Sequence, residues 1–161
     1  MIVVSDTSPL NYLVLIHREH ILPTLFGRVV TPPAVITELL HPTSPALVRS
    51  WAEQPPVWLE IRSPMSLLPQ LKLGRGESEA LSLARELGAD AVLIDERRGY
   101  MKARQLGLFA TGTLGVLEVA AERKLINLPA TINLLLDTSF RISPELLRSA
   151  LERDANRSMR K

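Results

Sequence analysis

The chain has 161 residues, 46% of them hydrophobic and 22% charged, and it contains no cysteine. A length of this order corresponds to one domain, here 1–161, that buries about 70% of its unfolded surface, so no disulfide or metal staple is needed. Without cysteine there is no disulfide framework, thiol nucleophile, iron–sulfur cluster or cysteine-ligated zinc, as fits a cytoplasmic protein, and 19 bases against 17 acids lean only mildly toward polyanions.

The first run, 2–4, predicts a strand; it reaches Asp6 too soon for a signal peptide. A helix over 9–16 follows, then a strand 28–30, helices 32–40 and 45–52, a strand 57–61 and a helix 76–87. The second half predicts a strand 91–94, a helix 97–106, a strand 108–110 and helices 113–123, 130–137 and 144–157, the last amphipathic with Leu146, Leu147, Ala150 and Leu151 inward. Alternation of this kind predicts an α/β fold with a mostly parallel sheet of about five strands covered by helices on both faces. Ser8, Thr31 and Ser143 each precede a proline and predict helix caps, while Gly88 and Gly107 predict helix stops. No apolar run approaches the roughly 18 residues of a membrane span.

Four acids occupy unusual positions. Asp6 and Asp95 end apolar strands, so in a parallel sheet both project at the carboxyl edge, where open α/β folds place ligands. Glu38 follows Val35 by three residues and adjoins Leu39, and Glu77 shares a helical side with Ala80, Leu81 and Ala84, so both are expected to face inward. A buried carboxylate requires a compensating partner. Either each acid meets an arginine or a helix N-terminus, or all four converge on a hard divalent cation such as Mg²⁺ or Mn²⁺, which oxygen ligands suit. Bases cluster beside one of them: residues 96–104 carry Arg97, Arg98, Lys102 and Arg104 against a single acid.

Taken in order, Val4-Ser5-Asp6-Thr7-Ser8-Pro9-Leu10, Glu38, Gly74-Arg75-Gly76-Glu77-Ser78-Glu79-Ala80, Leu93-Ile94-Asp95-Glu96-Arg97 and Thr111-Gly112-Thr113-Leu114-Gly115 resemble a PIN-domain nuclease. Within that family the likeness is to small prokaryotic PIN proteins similar to VapC toxins, and it spans residues 2 to about 150. The resemblance implies a three-layer PIN-like fold and a family acid at each of Asp6, Glu38, Glu77 and Asp95, as catalytic residues and metal ligands. It further implies Glu96 as an auxiliary acid and Thr7, Ser8, Thr111 and Thr113 beside the substrate. One departure follows the fourth acid, where Arg98-Gly99-Tyr100-Met101 is bulkier than the family's usual small residues.

The implied activity is metal-dependent endoribonuclease, as the toxin of a toxin–antitoxin pair, with Mg²⁺ or Mn²⁺ as cofactor. Arg97, Arg98 and Lys102 would hold RNA phosphates without reading bases. An antitoxin or a second copy of the chain would be the protein partner, and no membrane is involved. Two alternatives stand beside this reading: a PIN-like module that binds RNA or protein without cutting, and a phosphatase or nucleotide hydrolase. Other motifs fail, since Gly74-Arg75-Gly76 lacks the closing glycine of a dinucleotide fingerprint, Glu79 standing there.

Overall fold

The apolar run after Met1 becomes β1 (Ile2–Ser5), the central strand of a five-stranded, all-parallel sheet ordered β3-β2-β1-β4-β5. The computed structural model describes residues 1–160. It divides into two compact units, Met1–Thr113 and the segment from Leu114 onward.

In the first unit, α1 (Thr7–Leu15) and α2 (Ile21–Phe26) connect β1 to β2 (Arg28–Thr31), and α3 (Pro33–Leu39) and α4 (Ala46–Glu53) lead on to β3 (Leu59–Ile61). The chain then returns through α5 (Arg75–Leu87) to the opposite side of β1, forming β4 (Ala91–Leu93), before α6 (Arg97–Gln105) and β5 (Ala110–Thr111). Val3 and Val4 pair with Val29 and Val30 on one side and with Ala91 and Val92 on the other. All six are buried, as expected of parallel strands covered by helices on both faces. The core around Val4, Val30, Val92 and Ile94 is completed by Leu81, Leu83 and Ala84 of α5 and Ala103 of α6. Because the chain leaves β1 in one direction and re-enters beside it from the other, the strand order reverses between β1 and β4. In a doubly wound sheet that reversal opens a crevice at the carboxyl ends.

The second unit holds α7 (Thr113–Glu122) from its second residue on, α8 (Leu128–Leu136) and α9 (Pro144–Met159). Asn127 caps α8 by accepting the Ala130 N–H at 2.9 Å, and Ser143 caps α9 through the Leu146 N–H at 3.2 Å. Arg153 on α9 forks onto Glu118 on α7 at 2.8 and 3.1 Å. Among the described residues, no helix is long and apolar enough to cross a membrane.

Local chemistry departs from expectation in several places. Six residues, Ile21–Phe26, form a helix that periodicity over so short a stretch does not show. Helix α3 starts one residue later than expected, with Pro32 at the cap position, because the Thr31 hydroxyl donates instead to the Ser5 carbonyl at 2.8 Å. Helix α1 starts earlier than Ser8 would place it, directly after Asp6. The third strand begins at Leu59 rather than at 57, where Val57 is fully solvated. Gly88 and Gly107 do take the left-handed conformation, at φ 60° and 78°.

Candidate functional site

Asp6 and Asp95 lie at the reversal point because β1 and β4 are neighbours in register, Ser5 opposite Leu93. The Asp6 N–H donates to the Leu93 carbonyl at 2.8 Å, and the Thr31 hydroxyl ties the end of β2 to Ser5, so the edge on which Asp6 stands is held from both sides. Asp6 occupies the cap position of α1, yet its side chain does not cap the helix. It is 4% exposed, and its Oδ1 is buried with no hydrogen-bond partner.

Glu38 is not inward-facing as its spacing suggests. Leu39 is buried, but Glu38 is solvent-exposed on the last turn of α3. From there it accepts a hydrogen bond from the Thr7 hydroxyl and another, at 3.2 Å, from the Gly76 N–H in the first turn of α5. Asp95 accepts the Thr113 N–H at 2.6 Å and the Thr113 hydroxyl at 2.7 Å, and Ser8 bonds it as well. Glu96 caps α6 by accepting the Gly99 N–H at 3.0 Å. Glu77, half-buried in the first turn of α5, shares a hydrogen bond with Glu96, while its Oε2 is buried and unpartnered.

Three glycines let the acids approach so closely. A Cβ on Gly76 would lie 2.5 Å from Glu38 Oε1, one on Gly112 would lie 2.6 Å from Asp95 Oδ1, and one on Gly99 would lie 2.8 Å from Glu77 Oε2 and closer still to Ile94. None of the three is in the left-handed region. Glycine is required there for space, and neither composition nor periodicity announces it.

Asp6 and Glu77 feel the acids around them. Burial, followed by repulsion from Glu38, Asp95 and Glu96, pushes Asp6 up to about 7 against the pull of the Thr7 N–H. Glu77 is likewise raised to about 7, first by burial and then by Asp6, Glu96 and Glu38. Asp95 is raised by burial, with the Thr113 and Ser8 donors opposing. Glu96 moves down, because the α6 amides stabilise its charge.

The other expected residues are differently engaged. Thr7, Ser8 and Thr113 place their hydroxyls on carboxylates, as supports for the acids. Thr111 is half-buried on β5, opposite Leu93. Arg97 and Arg98 are exposed on the first turn of α6, and Lys102 is half-buried one turn further on. Sequence reasoning missed Glu79, buried and paired with Arg75 at 3.2 Å, which borders a 270 Å³ cleft together with Glu38. The i,i+4 spacing of Arg75 and Glu79 was the available signal.

The donor set contains only carboxylate oxygens, as a hard divalent cation prefers. Two buried oxygens without donors, on Asp6 and Glu77, fit such an ion, since like-charged acids pressed together otherwise hold protons. Among the described residues, no three acid or histidine side chains surround one point at ligating distance as they stand.

An acidic cluster at the β1/β4 reversal of a parallel α/β sheet defines a class of proteins that gather carboxylates at one strand edge. A family model described as a PIN domain matches residues 2–156, and the chain belongs to that family. PIN domains are in general nucleases that use divalent metals. The fold is also similar to that of a solved PilT N-terminus domain protein from the hyperthermophilic archaeon Sulfolobus solfataricus P2. The TM-score is 0.52 at 16% identity, covering 89% of this chain and 100% of that one. No curated protein matches the chain.

Proposed function

We propose that the protein is a metal-dependent endoribonuclease that hydrolyses RNA phosphodiester bonds with Mg²⁺ or Mn²⁺. The observation that carries this reading is the gathering of Asp6, Glu38, Glu77 and Asp95 at one sheet edge, with buried, donor-free oxygens on Asp6 and Glu77. Those two carboxylates, with Asp95 beside them, would hold the ion; Glu38, braced by Thr7 and Gly76, would orient water or complete the ligand set. When bound, the metal supplies a water of lowered pKa and neutralises charge developing on the phosphoryl oxygens. The chain's own contribution is to fix the acids: Thr113 and Ser8 orient Asp95, and the start of α5 orients Glu38.

RNA substrates incubated with the purified protein in Mg²⁺, in Mn²⁺ and in chelator test this directly. Cleavage should require the metal and disappear in Asp6→Asn and Asp95→Asn variants; metal-independent cleavage, or variants as active as the parent, would overturn it. The finer reading, that the protein is the toxin of a toxin–antitoxin pair, draws on the likeness to small prokaryotic PIN proteins. It predicts growth arrest on expression, relieved by Asp6→Asn.

A second reading, a PIN-like module that binds without cutting, is favoured by one observation: protein donors already satisfy Glu38, Asp95 and Glu96. Calorimetric titration with Mn²⁺ separates the two, because the nuclease binds the ion and the passive module does not.

A further inference from the structure

Next to the acids, within the first unit, lies a cavity of about 490 Å³ with two walls from distant parts of the chain. One wall is a face of α6: Arg98, Lys102 and Gln105 recur at helical spacing, and Arg97 adjoins them. The other is the 70–73 loop, which contributes Gln70 and Lys72. Both loop residues are non-glycine residues in the left-handed region, at φ 59° and 55°, on either side of Leu71. Leu71 is 7% exposed and belongs to the sheet core.

The left-handed conformation costs such residues roughly 1–2 kcal/mol each, so the loop keeps this shape only because its surroundings impose it. With Leu71 anchored in the core, residues 70 and 72 both border the cavity. The Arg98 guanidinium donates to the Lys72 carbonyl at 3.0 Å and joins the walls. Four cations, Lys72, Arg97, Arg98 and Lys102, thus border one cavity, with no acid among its described lining residues. Like charges are brought together against their repulsion, and a solvated helix face would not require a strained loop opposite it.

Position sets the ligand chemistry. The acid cluster ends at Glu96 and the cations begin at Arg97. With 3.8 Å between successive Cα atoms, the Cα of Arg97 lies within about 7.6 Å of that of Asp95. A polyanion approaching five clustered carboxylates is repelled, and an adjacent group of cations offsets that repulsion. Lysine and arginine at such a place grip phosphate oxygens and leave base identity unread.

We propose that the cavity between α6 and the 70–73 loop is a phosphate-anchoring subsite, which holds a nucleic-acid phosphate beside the one presented to the acids. It rests on the nuclease reading for the identity of the strand it holds, but its contribution is to binding and is independent of base sequence. Lys72 is the residue that sequence reasoning did not reach, since 25 positions separate it from Arg97.

The test is fluorescence anisotropy of a short labelled single-stranded RNA in chelator, where binding is read without cleavage. The double variant Lys72→Gln with Lys102→Gln should bind about tenfold or more weakly, with a salt dependence shallower by about one or more in log–log slope. Arg97→Gln, at an exposed position on the facing α6 wall, should weaken binding in the same way if the double variant proves unstable. Lys72→Arg, which keeps the charge, should retain binding. Affinity and salt slope equal to the parent in the charge-removing variants overturn the subsite, even when Asp6→Asn has abolished cleavage and the nuclease reading stands. Cavity-dependent binding by a parent protein that never cleaves supports the subsite and overturns the nuclease. A parent that does not bind RNA overturns both.

Discussion

A carboxylate withdrawn from water either finds donors or holds a proton, and the acids at the β1/β4 edge divide between these outcomes. Asp95 and Glu38 accept amide and hydroxyl hydrogens, and Glu96 caps α6. Asp6 and Glu77 keep buried oxygens without donors, and both are pushed up to about 7. In the metal-free protein the folded state therefore retains protons that the unfolded chain has already released above pH 4. Stability falls as pH rises from about 4 to about 7 and levels off beyond. For Asp6 the rise from 3.8 to about 7 corresponds to a cost on the order of 4 kcal/mol, and Glu77, half-buried, adds less. Thermal melts in chelator should show the midpoint dropping between about pH 4 and pH 7 and levelling off above that, and Asp6→Asn should remove much of that slope. Parallel profiles for parent and variant would show that Asp6 carries no such burden.

The acids meet because elements approach one another without intervening side chains. Gly76 in α5 faces Glu38 from α3, Gly99 in α6 faces Glu77 and Ile94, and Gly112 between β5 and α7 faces Asp95. What a methyl would displace differs among them. At Gly76 it meets the tip of an exposed, flexible glutamate, and the helical preference of alanine over glycine, roughly 0.5–1 kcal/mol, offsets the crowding. At Gly99 it meets Ile94, buried in the sheet core, where overpacking costs about 1–3 kcal/mol. Urea denaturation should therefore leave Gly76→Ala close to the parent and show Gly99→Ala clearly weakened. In the cleavage assay Gly76→Ala should be impaired despite its intact fold; full activity would show that the position of Glu38 is immaterial.

For the whole molecule, a net charge of +2 conceals a separation: five acids gather at one sheet edge while Lys72, Arg97, Arg98 and Lys102 border a cavity next to it. Binding a polyanion through three or four cations makes affinity steeply dependent on salt. For a single strand, each contact adds about 0.7 to the log–log slope. Raising salt from about 50 to about 200 mM should then raise the KM for RNA by about twenty- to fiftyfold. Steady-state cleavage across that range checks it, and a flat KM would indicate recognition without phosphate contacts.

Much of this arrangement was legible in the chain. Apolar runs ending in Asp6 and Asp95, in an α/β alternation, place two acids on one sheet edge, because side chains at strand ends have few alternatives. Helical spacing likewise put Arg97, Arg98 and Lys102 directly after the second of them. Glu38 and Glu77 were recognisable as acids on apolar helices, but periodicity reports a face and says nothing of where a helix end projects. Glu38 proved exposed, braced by Thr7 and Gly76 from 31 and 38 positions away. The same limit applies to Glu96 as the α6 cap, to the unpartnered oxygens of Asp6 and Glu77, to the glycine cradles and to Lys72 opposite Arg98. Each depends on elements distant in sequence coming within hydrogen-bonding or van der Waals distance. Local pattern determines which residues form strands and helices and which side they bury; tertiary packing determines which charges are left without a partner.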